Sequence, residues 1–387
     1  MQQFSFLFYG NITFGKGAIG DVHNIINKEK YNNLGCVIDH RLLDLPLIKR
    51  LIKSLKKETY IKIIECNISE PTYEKLEEKR LNSQEIDIDV FIGIGGGSAL
   101  DMAKGLSVLY SNNGPAVTYR GFDQFKEPIL PIIAIPTTAG TGSEITPNAS
   151  FIDSEEKRKM GINGEAIRPK YAILDPELTL SCPKAPTISA GVDSLVHASE
   201  AFAAKKSNPM AKMFAREGFK LVFENLPLLV DDLGNIELRE KVMYGAFLSA
   251  IALMNSGTGP AAAMSYPLGV HYGVPHGIGG GIFLPFVVEH NINHGFYEYG
   301  DLFCLADNKK ISKKEKSIQF LDYLKDTWSS LDVPKNLNIF GLNRTGITEF
   351  VDNTMDLKGA LDQNPVSFYE KEINTVLKKL ITKNEGI

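Results

Sequence analysis

Over the first 180 residues, short apolar runs alternate with segments whose apolar positions recur at helical spacing. Leu34–Asp39, Tyr60–Glu65, Val90–Ile94 and Ile129–Ile135 read as buried strands. Leu42–Leu55 and Ala99–Leu109 read as helices between them. This βαβα rhythm predicts a parallel sheet with flanking helices. Beyond about residue 185 helical periods take over: Asp193–Lys205, Met210–Asn225, Ile236–Met254, Ile318–Leu331, Thr345–Met355 and Tyr369–Ile381. The pattern predicts an α/β domain over residues 1–184 and an all-α domain over 185–387. Between the helices, Asn255–Gly281 is rich in Gly, Ala and Pro and reads as a long functional loop.

Composition narrows the class without naming a function. The 387 residues suffice for two domains with proper cores. A net charge of −4 gives no electrostatic reason to bind nucleic acid or an anionic membrane. The chain has no apolar run long enough to span a bilayer, and Met1–Gly10 lacks the basic start of a signal peptide. Cys36, Cys66, Cys182 and Cys304 are scattered, as expected of reduced thiols in a cytoplasmic protein. The charge run Lys309–Lys316 reads as a solvated helix start.

Two loops carry chemistry. Val90–Asp101 places Gly95, Gly96, Gly97 and Ser98 between a strand and a helix start. Glycines let the backbone approach a pyrophosphate, and the helix N-terminus offers N–H groups. The plain alternative is a tight turn, but three consecutive glycines exceed its need. The second loop, Pro136–Glu144, offers Thr137, Thr138 and Thr141 to phosphate or ribose oxygens, and reads equally as a hydroxyl-rich capped turn. Asp39 ends an early strand. A carboxylate there accepts from a ribose 2′-OH and repels a 2′-phosphate, which favours NAD over NADP; helix capping is the competing reading.

The helical half holds Asp193 and His197 four residues apart, with His276 downstream in Pro275-His276-Gly277. Positions i and i+4 share a helix face, and a carboxylate with two imidazoles can hold a divalent metal. Taken alone, such pairs are mostly surface or capping pairs. The two glycine-rich loops raise the weight of this one.

Taken together, Phe14-Gly15-Lys16-Gly17, the Gly95–Ser98 loop, Pro136–Glu144, Gly191-Val192-Asp193 with His197, and Tyr266-Pro267-Leu268-Gly269 leading to Pro275-His276-Gly277 resemble the iron-containing (group III) alcohol dehydrogenase family, nearly end to end. The resemblance implies an N-terminal dinucleotide domain, a helical metal-binding domain with a cleft between, and reversible hydride transfer between an alcohol and NAD(P). It implies Asp193, His197 and His276 as ligands of iron or zinc. It also implies cofactor contacts at Gly97, Ser98, Thr137, Thr138, Thr141, Lys159 and Leu178, with Asp39 at the ribose. Helical domains of this kind often form homodimers in the family, but no sequence feature settles the oligomeric state.

Two departures matter. Ala262 stands where a further ligand His is expected, and Tyr266 where a second His near the catalytic centre is expected. Three readings stay open. Three protein ligands hold the metal, His271 substitutes for the missing one, or metal is held weakly or not at all while Tyr266 takes part in acid–base chemistry. In the metal-free case Lys159 polarises the oxygen, although the charged run Glu155–Lys159 reads locally as surface. The expected substrate is a primary or polyhydroxylated alcohol or its aldehyde. Tyr266 also resembles a branch of the family that oxidises a sugar acid. Competing readings are a dehydroquinate-synthase-like or polyol-phosphate enzyme, or an inactive dinucleotide-binding relative. Gly257–Gly281 contains no Lys or Arg, which argues against a phosphorylated substrate.

Overall fold

The β-branched runs of the first half form strands because Ile and Val suit a pleated, buried surface. The computed structural model describes residues 3–8, 10–67, 70–83, 87–303 and 311–381. Its strands are β1 (Asn11–Phe14), β2 (Asn33–Asp39), β3 (Tyr60–Cys66), β4 (Val90–Gly95), β5 (Gly121–Phe122), β6 (Ile132–Pro136), β7 (Asn148–Asp153), β8 (Arg158–Asn163) and β9 (Tyr171–Leu174). Between them lie α1 (Asp21–Glu29), α2 (Pro46–Leu55), α3 (Tyr73–Ser83) and α4 (Gly97–Ser111). Six strands form one parallel sheet in the order β1-β9-β6-β4-β2-β3. The expected parallel α/β arrangement is therefore present.

Alternate side chains of the sheet face two cores, as the period of two requires. Leu34, Cys36 and Ile38 of β2 join Val90, Ile92 and Ile94 of β4 on one side. Val37 and Phe91 face the other, with Met102, Ala103 and Leu106 of α4. Cys36 and Cys66 are buried thiols and Cys182 is half-buried; burial pushes Cys36 up to about 12. Cys304 and the start of the Lys309–Lys316 run lie outside the described residues.

The second half is helical: α5 (Lys184–Ala203), α6 (Pro209–Asp231), α7 (Ile236–Met254), α8 (Pro260–Tyr272), α9 (His276–Asn293), α10 (Tyr299–Leu302), α11 (Lys313–Ser330), α12 (Ile347–Met355), α13 (Lys358–Leu361) and α14 (Glu370–Leu380). By contacts the chain divides into Phe8–Cys182, and Pro183–Ile387 together with Met1–Leu7. The N-terminal segment is tied to the helices by Phe6, stacked on Phe214 at 5.6 Å, and by Leu7, whose N–H donates to Asn255 Oδ1 at 2.6 Å. Among the described residues, no helix is long and apolar enough to cross a membrane.

Three expectations need correction. Asn255–Gly281 is not one long loop but contains all of α8 and the start of α9. Pro260 opens α8 at a position where the missing N–H costs nothing, and the glycines of α9 are contact points with neighbouring helices. The helix expected from Leu42 starts only at Pro46, because proline favours the first helical position and restricts the residue before it. A small second sheet, order β5-β8-β7, was not foreseen. Its polar strands, such as Arg158–Asn163, carry too weak an apolar alternation to be read.

Candidate functional site

Helix α5 presents Asp193 and His197 on one face, buried to 4% and 6% exposure. His276 opens α9. His197 Nε2 stands 3.4 Å from Asp193 Oδ1, and His276 Nε2 stands 3.9 Å from the same oxygen. One ligand atom from each residue lies within 4.8 Å of the others. Ligand atoms about 2.1 Å from a tetrahedral ion would stand roughly 3.4 Å apart, so the three fit a metal after slight contraction. Two imidazoles and one carboxylate suit Zn²⁺ or Fe²⁺.

Small residues make this convergence possible. A Cβ at Gly277 would fall 2.0 Å from the Ser189 carbonyl oxygen and 2.7 Å from Asp193 Cβ. At Gly281 it would meet Val192 at 2.4 Å, and at Gly279 it would meet Ser265 at 2.9 Å. Helix α9 therefore lies directly on α5 and α8. Each glycine costs a helix interior roughly 1 kcal/mol relative to alanine, and close packing offsets that cost.

The N-terminus of α8 is held from below. Glu200, buried in α5, accepts from Gly259 N at 2.8 Å, Ala261 N at 2.7 Å and Thr258 Oγ1 at 2.9 Å. Burial raises the Glu200 carboxyl, opposed by those hydrogen bonds. Ala262 sits in this turn, buried, with its N–H directed to Glu200 at 3.4 Å. Tyr266, one turn on, sets its ring edge-on to His276, with 5.0 Å between centroids. Ser265 Oγ is 2.6 Å from His276 Nδ1. His271 turns elsewhere: its Nε2 meets Asn353 Nδ2 at 2.9 Å, and it is not one of the clustered groups. His197 Nδ1 and Ser194 Oγ are buried without a hydrogen-bond partner.

In the Phe8–Cys182 unit, Gly95 closes β4 with φ 153°, a conformation that favours glycine, and a Cβ there would meet Ala99 at 2.7 Å. Gly96 caps α4, and a Cβ on Gly97 would meet Thr141 Cγ2 at 2.9 Å. The two loops therefore touch: Thr137 N donates to Gly95 O at 2.9 Å, and Thr138 lies beside Gly96. Ser98 is in the first turn of α4, at the helix end suited to anions.

A buried polar knot pins the second loop to α4. Lys104 Nζ donates to Ser143 Oγ at 2.9 Å, Thr146 O at 3.0 Å and Asn148 O at 2.7 Å. Ser143 Oγ donates to Asp101 Oδ1 at 2.5 Å. Burial lowers Lys104 to about 8 and raises neighbouring Glu144 to about 6. The sequence reading missed this knot and the cap by Glu200, because a Lys or Glu inside a helix pattern looks solvated until its burial is known.

The remaining predicted residues are placed as follows. Asp39 caps the turn after β2 and binds Arg41 twice, at 2.9 Å from Nε and 2.6 Å from Nη2. Burial opposes its ionisation, but the Arg41 contacts hold it below the ordinary range. Lys159 on β8 donates to Glu70 at 2.6 Å. Leu178 is buried in the apolar core with Ile19 and Ile173.

Comparison with known proteins shows the family. Residues 10–176 match the model for iron-containing alcohol dehydrogenase, and residues 187–381 match the C-terminal model of the Fe-containing alcohol dehydrogenase family. Alcohol dehydrogenase 4 of Saccharomyces cerevisiae is 29% identical over 369 residues, 95% of each chain. The NAD-dependent methanol dehydrogenase of Bacillus methanolicus is 33% identical over 279 residues, 72% of this chain and 73% of the other. A crystal structure of 1,3-propanediol oxidoreductase superposes with a TM-score of 0.92 at 25% identity, covering 98% of this chain and 100% of the other. The chain belongs to the iron-containing alcohol dehydrogenase family, oxidoreductases that act on CH–OH groups.

Proposed function

We propose that this chain oxidises a primary or polyhydroxylated alcohol with NAD, and reduces the matching aldehyde, using a divalent metal held by Asp193, His197 and His276. The observation that carries this is the convergence of the three ligand atoms within 4.8 Å. When bound, the metal supplies Lewis acidity to the alcohol oxygen and the dinucleotide accepts the hydride. A protein set of three suits Zn²⁺ or Fe²⁺, since catalytic sites keep a position open.

The chain's own residues do the rest. Gly95, Gly96, Gly97 and Ser98 present backbone amides to the pyrophosphate, and Thr137, Thr138 and Thr141 add hydroxyls. Asp39 receives the ribose and disfavours a 2′-phosphate, a preference that Arg41 softens by sharing the carboxylate. Lys159 and Leu178 complete the cofactor side. The ion pair with Glu70 offsets the charge of Lys159, so we assign it to cofactor contact before oxygen polarisation. Tyr266, against the His276 ring, moves the hydroxyl proton. We place the protein in the cytoplasm as a homodimer, on the cysteine pattern and the family's helical domain.

Elemental analysis of purified protein, with NADH formation from short alcohols and polyols before and after chelation, tests the reading. About one zinc or iron per chain, with activity lost on chelation and restored by metal, is the expected outcome. NAD binding without metal and without turnover would overturn it.

A further inference from the structure

Ser265 occupies α8 between two hydrogen-bonding groups, and is 1% exposed. Its Oγ lies 2.6 Å from Ala262 O, one helical turn back, and 2.6 Å from His276 Nδ1. A hydroxyl has one proton to give, whereas a carbonyl oxygen can only accept. With that proton directed at Ala262 O, the hydroxyl oxygen faces Nδ1 as an acceptor, and Nδ1 must carry hydrogen. A neutral imidazole then has a bare Nε2, and Nε2 is the nitrogen on the Asp193 side, 3.9 Å from Oδ1.

The reverse arrangement is poorer. With the hydroxyl proton directed at Nδ1, only one of the two short contacts is a hydrogen bond. We propose that Ser265 is a positioning residue for His276, fixing the tautomer with hydrogen on Nδ1 so that Nε2 is the metal-facing donor. The proposal rests on the metal reading above for its purpose, but the tautomer itself belongs to the protein alone. Ala262 serves it through the backbone: the position that lacks a ligand side chain supplies the carbonyl that orients Ser265. His197 has no such support, since its Nδ1 is buried without a partner.

The test is nitrogen NMR of histidine-labelled, metal-free, full-length protein at alkaline pH, where imidazoles are neutral, with His276 assigned by its loss in His276→Gln. The wild type should show hydrogen on Nδ1 of His276. Ser265→Ala should shift it wholly or partly to Nε2. Ser265→Cys, close in size but a weak hydrogen-bonding group, should behave like Ala. Zn²⁺ affinity, measured by chelator competition, should fall roughly 10–100-fold in both variants while the metal-free unfolding midpoint moves little. Hydrogen on Nε2 in the wild type, or a tautomer unchanged in Ser265→Ala, overturns the proposal. A tautomer that responds as expected in a protein that binds no Zn²⁺ supports the role of Ser265 and overturns the metal reading instead.

Discussion

Gly277 lies so close to Ser189 that a Cβ on Gly277 would fall 2.0 Å from the Ser189 carbonyl oxygen. This contact seats the start of α9 on α5 and brings His276 to Asp193. The obstacle is backbone, so it cannot swing aside as a side chain would. Gly277→Ala should destabilise the protein by about 3 kcal/mol, the upper range for overpacking, and abolish tight metal binding. Denaturant unfolding and metal analysis of the variant check this; a stable, metal-replete variant would contradict the packing argument.

Tyr266 packs edge-on against His276. If it moves the proton, Tyr266→Phe should lower turnover by roughly 10²–10⁴-fold, the usual worth of acid–base catalysis, with NAD affinity unchanged. Steady-state kinetics and a fluorescence titration with NADH separate the two effects. Unchanged turnover would leave Tyr266 as a packed aromatic.

Ala262 is buried in the α8 turn capped by Glu200. Ala262→His should supply a fourth ligand and tighten metal binding by at least roughly tenfold, about 1.4 kcal/mol. Competition with a chelator measures it. An unchanged affinity would mean that position 262 does not face the cluster.

Glu144 gives a pH dependence of defined sign. Burial raises its carboxyl from 4.5 to about 6 in the fold, against the pull of Lys104. A raised carboxyl contributes stability that is fully present below pH 4.5 and is lost as pH rises through about 6. Glu144→Gln removes this dependence. The stability of wild type relative to the variant should therefore fall by about 2 kcal/mol across that window. Urea unfolding of both proteins at the two ends of the window is the measurement.

Lys104 anchors the same loop and the start of β7 through four oxygens and faces Asp101. Lys104→Met leaves Asp101 buried with less compensation, at a cost of about 3 kcal/mol. It also frees the Thr137–Ser143 loop from α4. Weaker NAD binding should accompany the lost stability. Equal affinity would mean that the loop keeps its shape without the knot.

The chain's linear pattern determined a good deal. Short continuous apolar runs specified the parallel sheet because strands buried on both faces must be apolar throughout. The i, i+4 spacing put Asp193 and His197 on one face before any packing was known. Glycines at the end of β4 marked a turn where backbone must approach closely. Only the tertiary structure decided the rest. The Gly-, Ala- and Pro-rich stretch read as a loop is largely helical: its glycines and prolines have poor local helix propensity, but the glycines allow helices to touch, and that gain appears only when α5, α8 and α9 meet. His276 joins Asp193 across 83 residues of chain, and no local period encodes such a distance. Lys104, Glu200 and Ser265 look like ordinary helix residues in sequence. Burial alone turns them into an anchor, a cap and a support, because a polar group out of water must find its partner.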